Sequence, residues 1–133
     1  MARRNRPAGS PEQMIEALFV EGESGELEGF CVRGHAGYAP PGRDIVCAGV
    51  SALVQTAVAA LKRFLSRQPT VIRDSQEEEG ACVRLLLPPD LPEEDKKTAG
   101  IILQTLEIGM HGIAGSYGKY IEVRRCRHDS GGF

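Results

Sequence analysis

His35 and Cys47 are the two residues of this chain whose side chains together predict covalent catalysis. A cysteine thiolate attacks carbonyl carbons, and an imidazole within hydrogen-bond reach takes the thiol proton and later returns it. His35 precedes Cys47 by twelve positions, a separation that lets the imidazole fold back toward the sulfur. The competing interpretation is that Cys47 is a small apolar core residue, which is a common place for a free cysteine.

The segment between the two residues is rich in Gly and Pro, a composition typical of a loop. Its most characteristic positions are Gly37, Pro40, Pro41 and Gly42. We predict that this loop is mobile and that binding of substrate orders it and brings His35 to Cys47.

A helix is expected to begin directly after this loop, with Asp44 as its N-cap and Cys47 as its third residue. The backbone N–H groups of a first turn have no partner within the helix, and they lie at the positive end of the helix dipole. Both effects favour the thiolate of Cys47, and the same N–H groups can stabilise an oxyanion.

Two further residues near Cys47 each have two interpretations. Asp44 either caps the helix or orients His35 as a third catalytic residue, and we favour the cap because its charge would oppose ionisation of Cys47. Ser51 follows Cys47 by four positions and so shares its helix face. Its hydroxyl either bonds back to a helix carbonyl or forms a polar wall of the catalytic pocket.

Hydrophobic periodicity and turn residues predict the elements that must position these side chains. Two hairpins, each followed by a helix, and a last strand give the order ββαββαβ. This order indicates a single α+β domain in which two helices pack on one face of a mixed β-sheet. We assign residues 1–13 to a disordered basic arm, 14–125 to the domain and 126–133 to a flexible tail.

Composition excludes several classes of function. A net charge of -2 argues against direct nucleic-acid binding and against a basic membrane-surface protein. No apolar run follows the basic N-terminus, so we expect no signal peptide, and the four cysteines are expected to be reduced thiols in a cytosol. The apolar stretch 45–61 is bounded closely by charges and is read as a buried helix rather than a membrane span. Cys31 with His35, and Cys126 with His128, supply only two ligands each, which is too few for a zinc site.

Four glycines recur at three-residue spacing in or beside the second helix. Glycine costs helix stability, by about 1 kcal/mol per interior position relative to Ala. We expect that close packing against the Ala-rich first helix offsets this cost. The four residues are Gly109, Gly112, Gly115 and Gly118.

The spacing of these motifs resembles that of the ribosomal-processing cysteine proteases known as the Prp family. The resemblance covers about residues 14–125 and agrees with the ββαββαβ order. Its most specific part is the twelve-residue spacing from His to Asp-Ile-Val-Cys. The residues that carry it are Gly34, His35, Gly42, the run from Asp44 to Cys47, Ala48, Gly49, Ser51, Ala52 and the segment 102–105.

The resemblance implies a fold, an activity and a set of site residues. The family's catalytic Cys and His fall on Cys47 and His35, and its motif Asp and Ser fall on Asp44 and Ser51. Family members are small bacterial cytoplasmic homodimers that use no metal or cofactor. They remove a short N-terminal extension from large-ribosomal-subunit protein twenty-seven. This chain departs from the pattern in its Arg-rich arm, its Gly-rich tail and the loop sequence 39–42.

Two other functions remain open on the sequence. One is a non-catalytic homodimer that binds ribosomal protein or the assembling ribosome without turnover. The other is a redox-sensing thiol protein that uses an activated Cys47; it lacks an obvious resolving partner, and Cys31 is the candidate for that role.

Overall fold

The computed structural model describes residues 14–34, 43–76 and 80–127, which form five strands and two helices. The predicted order ββαββαβ is confirmed. In chain order the elements are β1 (Ile15–Glu21), β2 (Leu27–Arg33), α1 (Arg43–Phe64), β3 (Thr70–Gln76), β4 (Gly80–Leu86), α2 (Glu93–Tyr117) and β5 (Ile121–Arg127).

The last strand is longer than the sequence predicted. Cys126 and Arg127, assigned above to a flexible tail, continue β5 and pair with β1. The predicted tail boundary is therefore wrong by two residues. The N-terminal arm at 1–13 and the rest of the tail at 128–133 lie outside the described residues.

The five strands form one mixed sheet in the order β3-β4-β2-β1-β5. Each hairpin is antiparallel, and the two hairpins join through an antiparallel pairing of β2 with β4. β5 pairs in parallel with β1, as expected for a strand that returns after a helical crossover. The sheet is therefore built around a contact between β2 and β4 that the order along the chain does not reveal.

The turn between β1 and β2 has the geometry that its glycines predict. The Gly22 N–H donates to the Glu26 carbonyl at 2.8 Å, and the Gly25 N–H donates to the Gly22 carbonyl at 3.1 Å. Gly25 has φ 85°, a left-handed conformation that favours glycine.

The two faces of the sheet have different surroundings because side chains alternate along each strand. One face packs against both helices and forms the main core, with Phe19, Phe30, Val32 and Leu85 among its members. The residues that alternate with these lie on the opposite face, which we call the helix-free face. Its central members are Leu18, Cys31, Arg33, Cys82 and Arg84.

α1 is a core helix. By length and composition it is apolar enough to cross a membrane, and it alone passes that test among the described residues. Val50, Val54 and Leu61 on one of its faces are almost fully buried against the sheet and α2. This face of α1 is therefore a packing face, as expected for a helix in the core of a two-layer domain, whereas other apolar positions of the helix, such as Ala48 and Ala52, are exposed.

α1 and α2 approach each other closely at only part of the predicted glycine stripe. A Cβ atom on Gly109 would lie 3.0 Å from Cδ1 of Leu53, and one on Gly49 would lie 3.4 Å from Cδ1 of Ile113. At Gly112 and Gly115 a Cβ atom would meet no neighbouring element of the described chain. A Cβ atom on Gly118 would meet only the carbonyl oxygen of Ala114 in α2 itself, so the prediction that the stripe packs on α1 is wrong for Gly112, Gly115 and Gly118.

An ion-pair network ties α2 to the sheet edge. Arg125 donates to both carboxylate oxygens of Glu107, from Nε and Nη2, each at 2.7 Å, and to Glu21 from Nη1 at 2.8 Å. Glu107 is buried, and its hydrogen bonds from Arg125 lower the pKa of its carboxyl group. The bidentate pair fixes α2 relative to β5 and β1.

Candidate active site

Cys47 is the fifth residue of α1, because the helix begins at Arg43. Asp44 therefore lies inside the first turn and is not the N-cap that the sequence predicted. A carboxylate in the first turn still interacts favourably with the positive end of the helix. Cys47 therefore lies two positions further into the helix than expected.

The side chain of Cys47 is buried, with 8% of its surface exposed, and it belongs to the main core cluster. Side chains in an α-helix lean toward the helix N-terminus, so the sulfur lies over the first turn rather than beside its own N–H. The thiol is thus near the positive end of the helix despite the earlier helix start. Burial in the core cluster agrees with the interpretation of Cys47 as a core residue, and its position at the helix start agrees with the catalytic interpretation.

The residues flanking Cys47 on α1 divide between core and surface. Val46 and Val50 are buried, Asp44 is exposed, and Ile45 is 62% exposed. Ser51 is half-buried, one helical turn after Cys47 and on the same face, as the spacing predicted. The start of α1 therefore presents an apolar side chain and a carboxylate to the surface next to a buried thiol.

The other catalytic candidate, His35, lies outside the described residues, as do the loop positions Gly37, Pro40, Pro41 and Gly42. That its imidazole reaches the sulfur of Cys47 stays a prediction. The chain is described on both sides of the loop, up to Gly34 after β2 and again from Arg43 at the start of α1.

Gly34, directly before His35, has a constrained backbone. Its φ is 91°, and a Cβ atom there would lie 2.9 Å from the carbonyl oxygen of Met14. Only glycine fits this conformation and this contact without strain. The adjacent Arg33 donates to Glu16 across the β1–β2 pair at 2.8 Å, which fixes the end of β2. Gly34 therefore sets the direction in which the chain leaves the sheet toward His35.

Sequence reasoning missed this structural role of Gly34. The available signal was a glycine at the end of a predicted strand, next to a candidate catalytic residue. Its close contact with Met14 depends on the pairing register of β1 and β2, which the sequence pattern does not specify.

Cys31 is not placed to act as a resolving partner for Cys47. None of the four cysteines is joined in a disulfide, and Cys31 lies on the helix-free face, whereas Cys47 lies among the core residues on the helix side. The Sγ atom of Cys31 is instead 3.9 Å from that of Cys82 on β4. The redox interpretation that paired Cys31 with Cys47 is therefore wrong, because the sheet separates them.

Within the described ranges, no three His, Cys, Asp or Glu side chains are gathered in a way that could hold a metal ion. The described part of the site consists of a helix-borne thiol, a first-turn carboxylate, a half-buried hydroxyl and a glycine that directs the preceding loop. Thiol-dependent acyl transfer also needs a base beside the thiol, a role for which the sequence predicts His35.

The sequence of the chain is related to a known group of proteases. Residues 14–122 match the family model for cysteine protease Prp. The chain is 27% identical over 110 residues to the ribosomal processing cysteine protease Prp of Bacillus subtilis (strain 168), a match that covers 83% of this chain and 96% of that protein.

Solved structures share the fold. SMU.848 from Streptococcus mutans matches with a TM-score of 0.74 and 24% identity, over 86% of this chain and 99% of that one. The essential ribosomal processing protease Prp from Staphylococcus aureus, in complex with a covalently linked product peptide, matches with a TM-score of 0.67 and 25% identity. That match covers 85% of this chain and 100% of the other.

Proposed function

The chain belongs to the Prp family of cysteine proteases, and we propose that it removes the N-terminal extension of large-ribosomal-subunit protein twenty-seven, with Cys47 as nucleophile and His35 as general base. The observation that carries the proposal is the position of Cys47. It is a buried thiol at the start of α1, directly after the loop that contains His35. The relatives in Bacillus subtilis and Staphylococcus aureus are both ribosomal processing proteases.

The proposed reaction proceeds through an acyl-enzyme. His35 takes the proton from Sγ of Cys47, and the thiolate attacks the carbonyl carbon of the scissile peptide bond. The tetrahedral intermediate collapses, and the leaving amine takes the proton from His35. Water, deprotonated by His35, then hydrolyses the thioester and restores the thiol of Cys47.

The start of α1 supplies the oxyanion donors in this mechanism. A helix that begins at Arg43 leaves the backbone N–H groups of Asp44 and Ile45 without partners inside the helix. The side chain of Cys47 leans toward the same turn. An oxyanion formed on a carbonyl bound at Cys47 would therefore lie close to these N–H groups.

We assign supporting roles to Asp44 and Ser51. Asp44, exposed in the first turn, stabilises the helix N-terminus rather than orienting His35. Ser51, half-buried one turn after Cys47, lines the pocket that receives the peptide. The loop 36–42, with Gly37, Pro40, Pro41 and Gly42, closes when the substrate binds.

We further propose that the protein is a cytoplasmic homodimer that needs no cofactor and binds neither nucleic acid nor a membrane. α2 carries an exposed apolar stripe that supports the dimer. Ile101 and Ile108, seven positions apart, are 67% and 71% exposed, and Gly115 continues the stripe with open space above it. Exposed apolar surface of this kind is typical of an interaction site.

The dimer is tested by charge substitution on this stripe. Ile108→Glu should give a monomer in analytical ultracentrifugation, since a buried charge would face the same charge across a two-fold axis. Ile72→Glu, at a 46% exposed position on β3, is the matched control and should leave the dimer intact. A dimer that survives Ile108→Glu would exclude this surface.

The substrate is tested directly. The purified protein is mixed with the unprocessed ribosomal protein of the same organism, and mass spectrometry follows the products. We expect one cut that releases the N-terminal extension. Stable binding of the ribosomal protein without any cut would favour the non-catalytic homodimer instead.

A further inference from the structure

Cys31 and Cys82 form a thiol pair on the helix-free face, remote from the described part of the active site. Their Sγ atoms are 3.9 Å apart, although the residues are separated by 51 positions in the chain. In the β2–β4 register Cys31 is opposite Arg84 and Cys82 is opposite Arg33, so the two cysteines are diagonal neighbours on one face. Diagonal neighbours are farther apart than directly opposite residues, so the 3.9 Å separation shows that the two short side chains lean toward each other.

We propose that this pair is a modification site, at which Cys31 and Cys82 form a reversible disulfide on meeting a low-molecular-weight disulfide such as oxidised glutathione. A disulfide needs an S–S distance of about 2.05 Å. The two sulfurs, 3.9 Å apart, must therefore approach each other, and because the cysteines are diagonal rather than directly opposite, the formation of the bond must shift β2 and β4 relative to each other.

The reaction is a balanced thiol–disulfide exchange. The Cys82 thiolate attacks one sulfur of oxidised glutathione, forms a mixed disulfide and releases one glutathione thiol. Cys31 then attacks the Cys82 sulfur, forms the internal disulfide and releases the second glutathione. The two protein thiols are oxidised, the two glutathione sulfurs are reduced, and the two thiol protons end on glutathione.

The surroundings of the pair determine the order of these steps. Cys82 is half-buried, whereas Cys31 is 6% exposed, so Cys82 meets the reagent first. Burial, and after it the neighbouring Cys82, raise the pKa of Cys31 to about 12, although Arg33 and Arg84 act in the opposite direction. Once Cys82 is in a mixed disulfide it carries no charge, and it then no longer repels a negative charge on the Cys31 thiolate.

The pair is independent of the proposed protease mechanism. Cys31 and Cys82 project from the sheet face opposite the one that packs against α1, where Cys47 lies. The exchange uses neither Cys47 nor the loop that contains His35. Failure of the proposed cleavage reaction would therefore leave this inference untouched.

Peptide mapping of the wild-type protein tests the inference. The full chain is incubated with oxidised glutathione, remaining thiols are alkylated, and proteolytic peptides are analysed by mass spectrometry. We expect a cross-linked species that joins the peptides of Cys31 and Cys82 and disappears on treatment with dithiothreitol. The result that overturns the inference is alkylation of both cysteines at the level of the untreated protein.

Two variants sharpen the test. Cys126 is a half-buried thiol on β5, separated from β2 by β1, and Cys126→Ser should leave the cross-link unchanged. Cys82→Ser should abolish it and leave Cys31 available to alkylation after denaturation. A cross-link between Cys31 and a cysteine other than Cys82 in the wild-type map would also contradict the inference. The wild-type map decides the matter even where a variant folds poorly.

Discussion

Gly34 and Met14 are in contact where β2 ends and the chain turns toward His35. A Cβ atom on Gly34 would lie 2.9 Å from the carbonyl oxygen of Met14, and Gly34 has φ 91°. A backbone oxygen cannot move aside as a flexible side chain can. The departure of the chain from the sheet is thus fixed by one glycine, and the proposed general base is the next residue.

Replacement of this glycine should harm both stability and catalysis. Gly34→Ala places a side chain in the left-handed region, which costs about 1–2 kcal/mol, and adds the clash with Met14. We expect a lower free energy of unfolding in urea and a fall in kcat, because His35 is displaced.

Gly25→Ala is the matched control for Gly34→Ala. Gly25 has φ 85°, close to that of Gly34, but a Cβ atom there would meet nothing within 4 Å. The Gly25→Ala variant should show a similar fall in the free energy of unfolding from its left-handed backbone and should keep the wild-type kcat. Equal kcat values for the two variants would show that Gly34 does not position the base.

Glu107→Gln should destabilise the protein in a pH-dependent way. The hydrogen bonds from Arg125 lower the pKa of Glu107 below its ordinary 4.5, so the ionised carboxylate stabilises the folded state above that pH. This contribution is lost as the pH falls through the lowered pKa. We expect Glu107→Gln to cost about 1–2 kcal/mol at neutral pH and less in acid, measured by urea unfolding.

Glu122→Gln serves as the control for the ion pair. Glu122 is about half exposed, and its carboxylate is 3.8 Å from Nε of Arg124. An exposed pair of this kind should contribute at most about 1 kcal/mol to the free energy of unfolding. A pH-independent difference between wild type and Glu107→Gln would contradict the assignment.

Two glycines of α2 should respond differently to replacement by alanine. At Gly100 a Cβ atom meets nothing within 4 Å, so Gly100→Ala should raise the free energy of unfolding by about 1 kcal/mol. At Gly109 a Cβ atom would lie 3.0 Å from Cδ1 of Leu53, so Gly109→Ala must displace that side chain. We expect this variant to gain less or to lose stability.

Chemical unfolding of both glycine variants measures the difference. A gain at Gly109 equal to that at Gly100 would mean that the contact between α1 and α2 is not tight. The comparison tests whether Gly109, a member of the glycine stripe, serves packing within the chain.

The order of elements was predictable from the sequence because each element carries a local signal. The glycines of the turn between β1 and β2 and the apolar periodicity of α1 both act within a few residues. The start of α1 was less predictable. Asp is favourable both as an N-cap and within the first turn, so Asp44 could not distinguish the two positions.

Contacts between distant segments were not predictable in the same way. The meeting of Cys31 with Cys82 depends on the pairing of β2 with β4 and on its register. Neither is specified by alternation along a single strand. Likewise, the glycine stripe of α2 showed where close approach is possible but not which of its residues face α1.

The central claim is that Cys47 is the nucleophile, and it is tested most directly by the rate at which Cys47→Ala cleaves the unprocessed ribosomal protein. Cys126→Ala provides the matched loss of a thiol on β5. The account predicts that Cys47→Ala slows cleavage by roughly a thousandfold or more, while Cys126→Ala cleaves at the wild-type rate. Cleavage by a folded Cys47→Ala protein at the wild-type rate would contradict it.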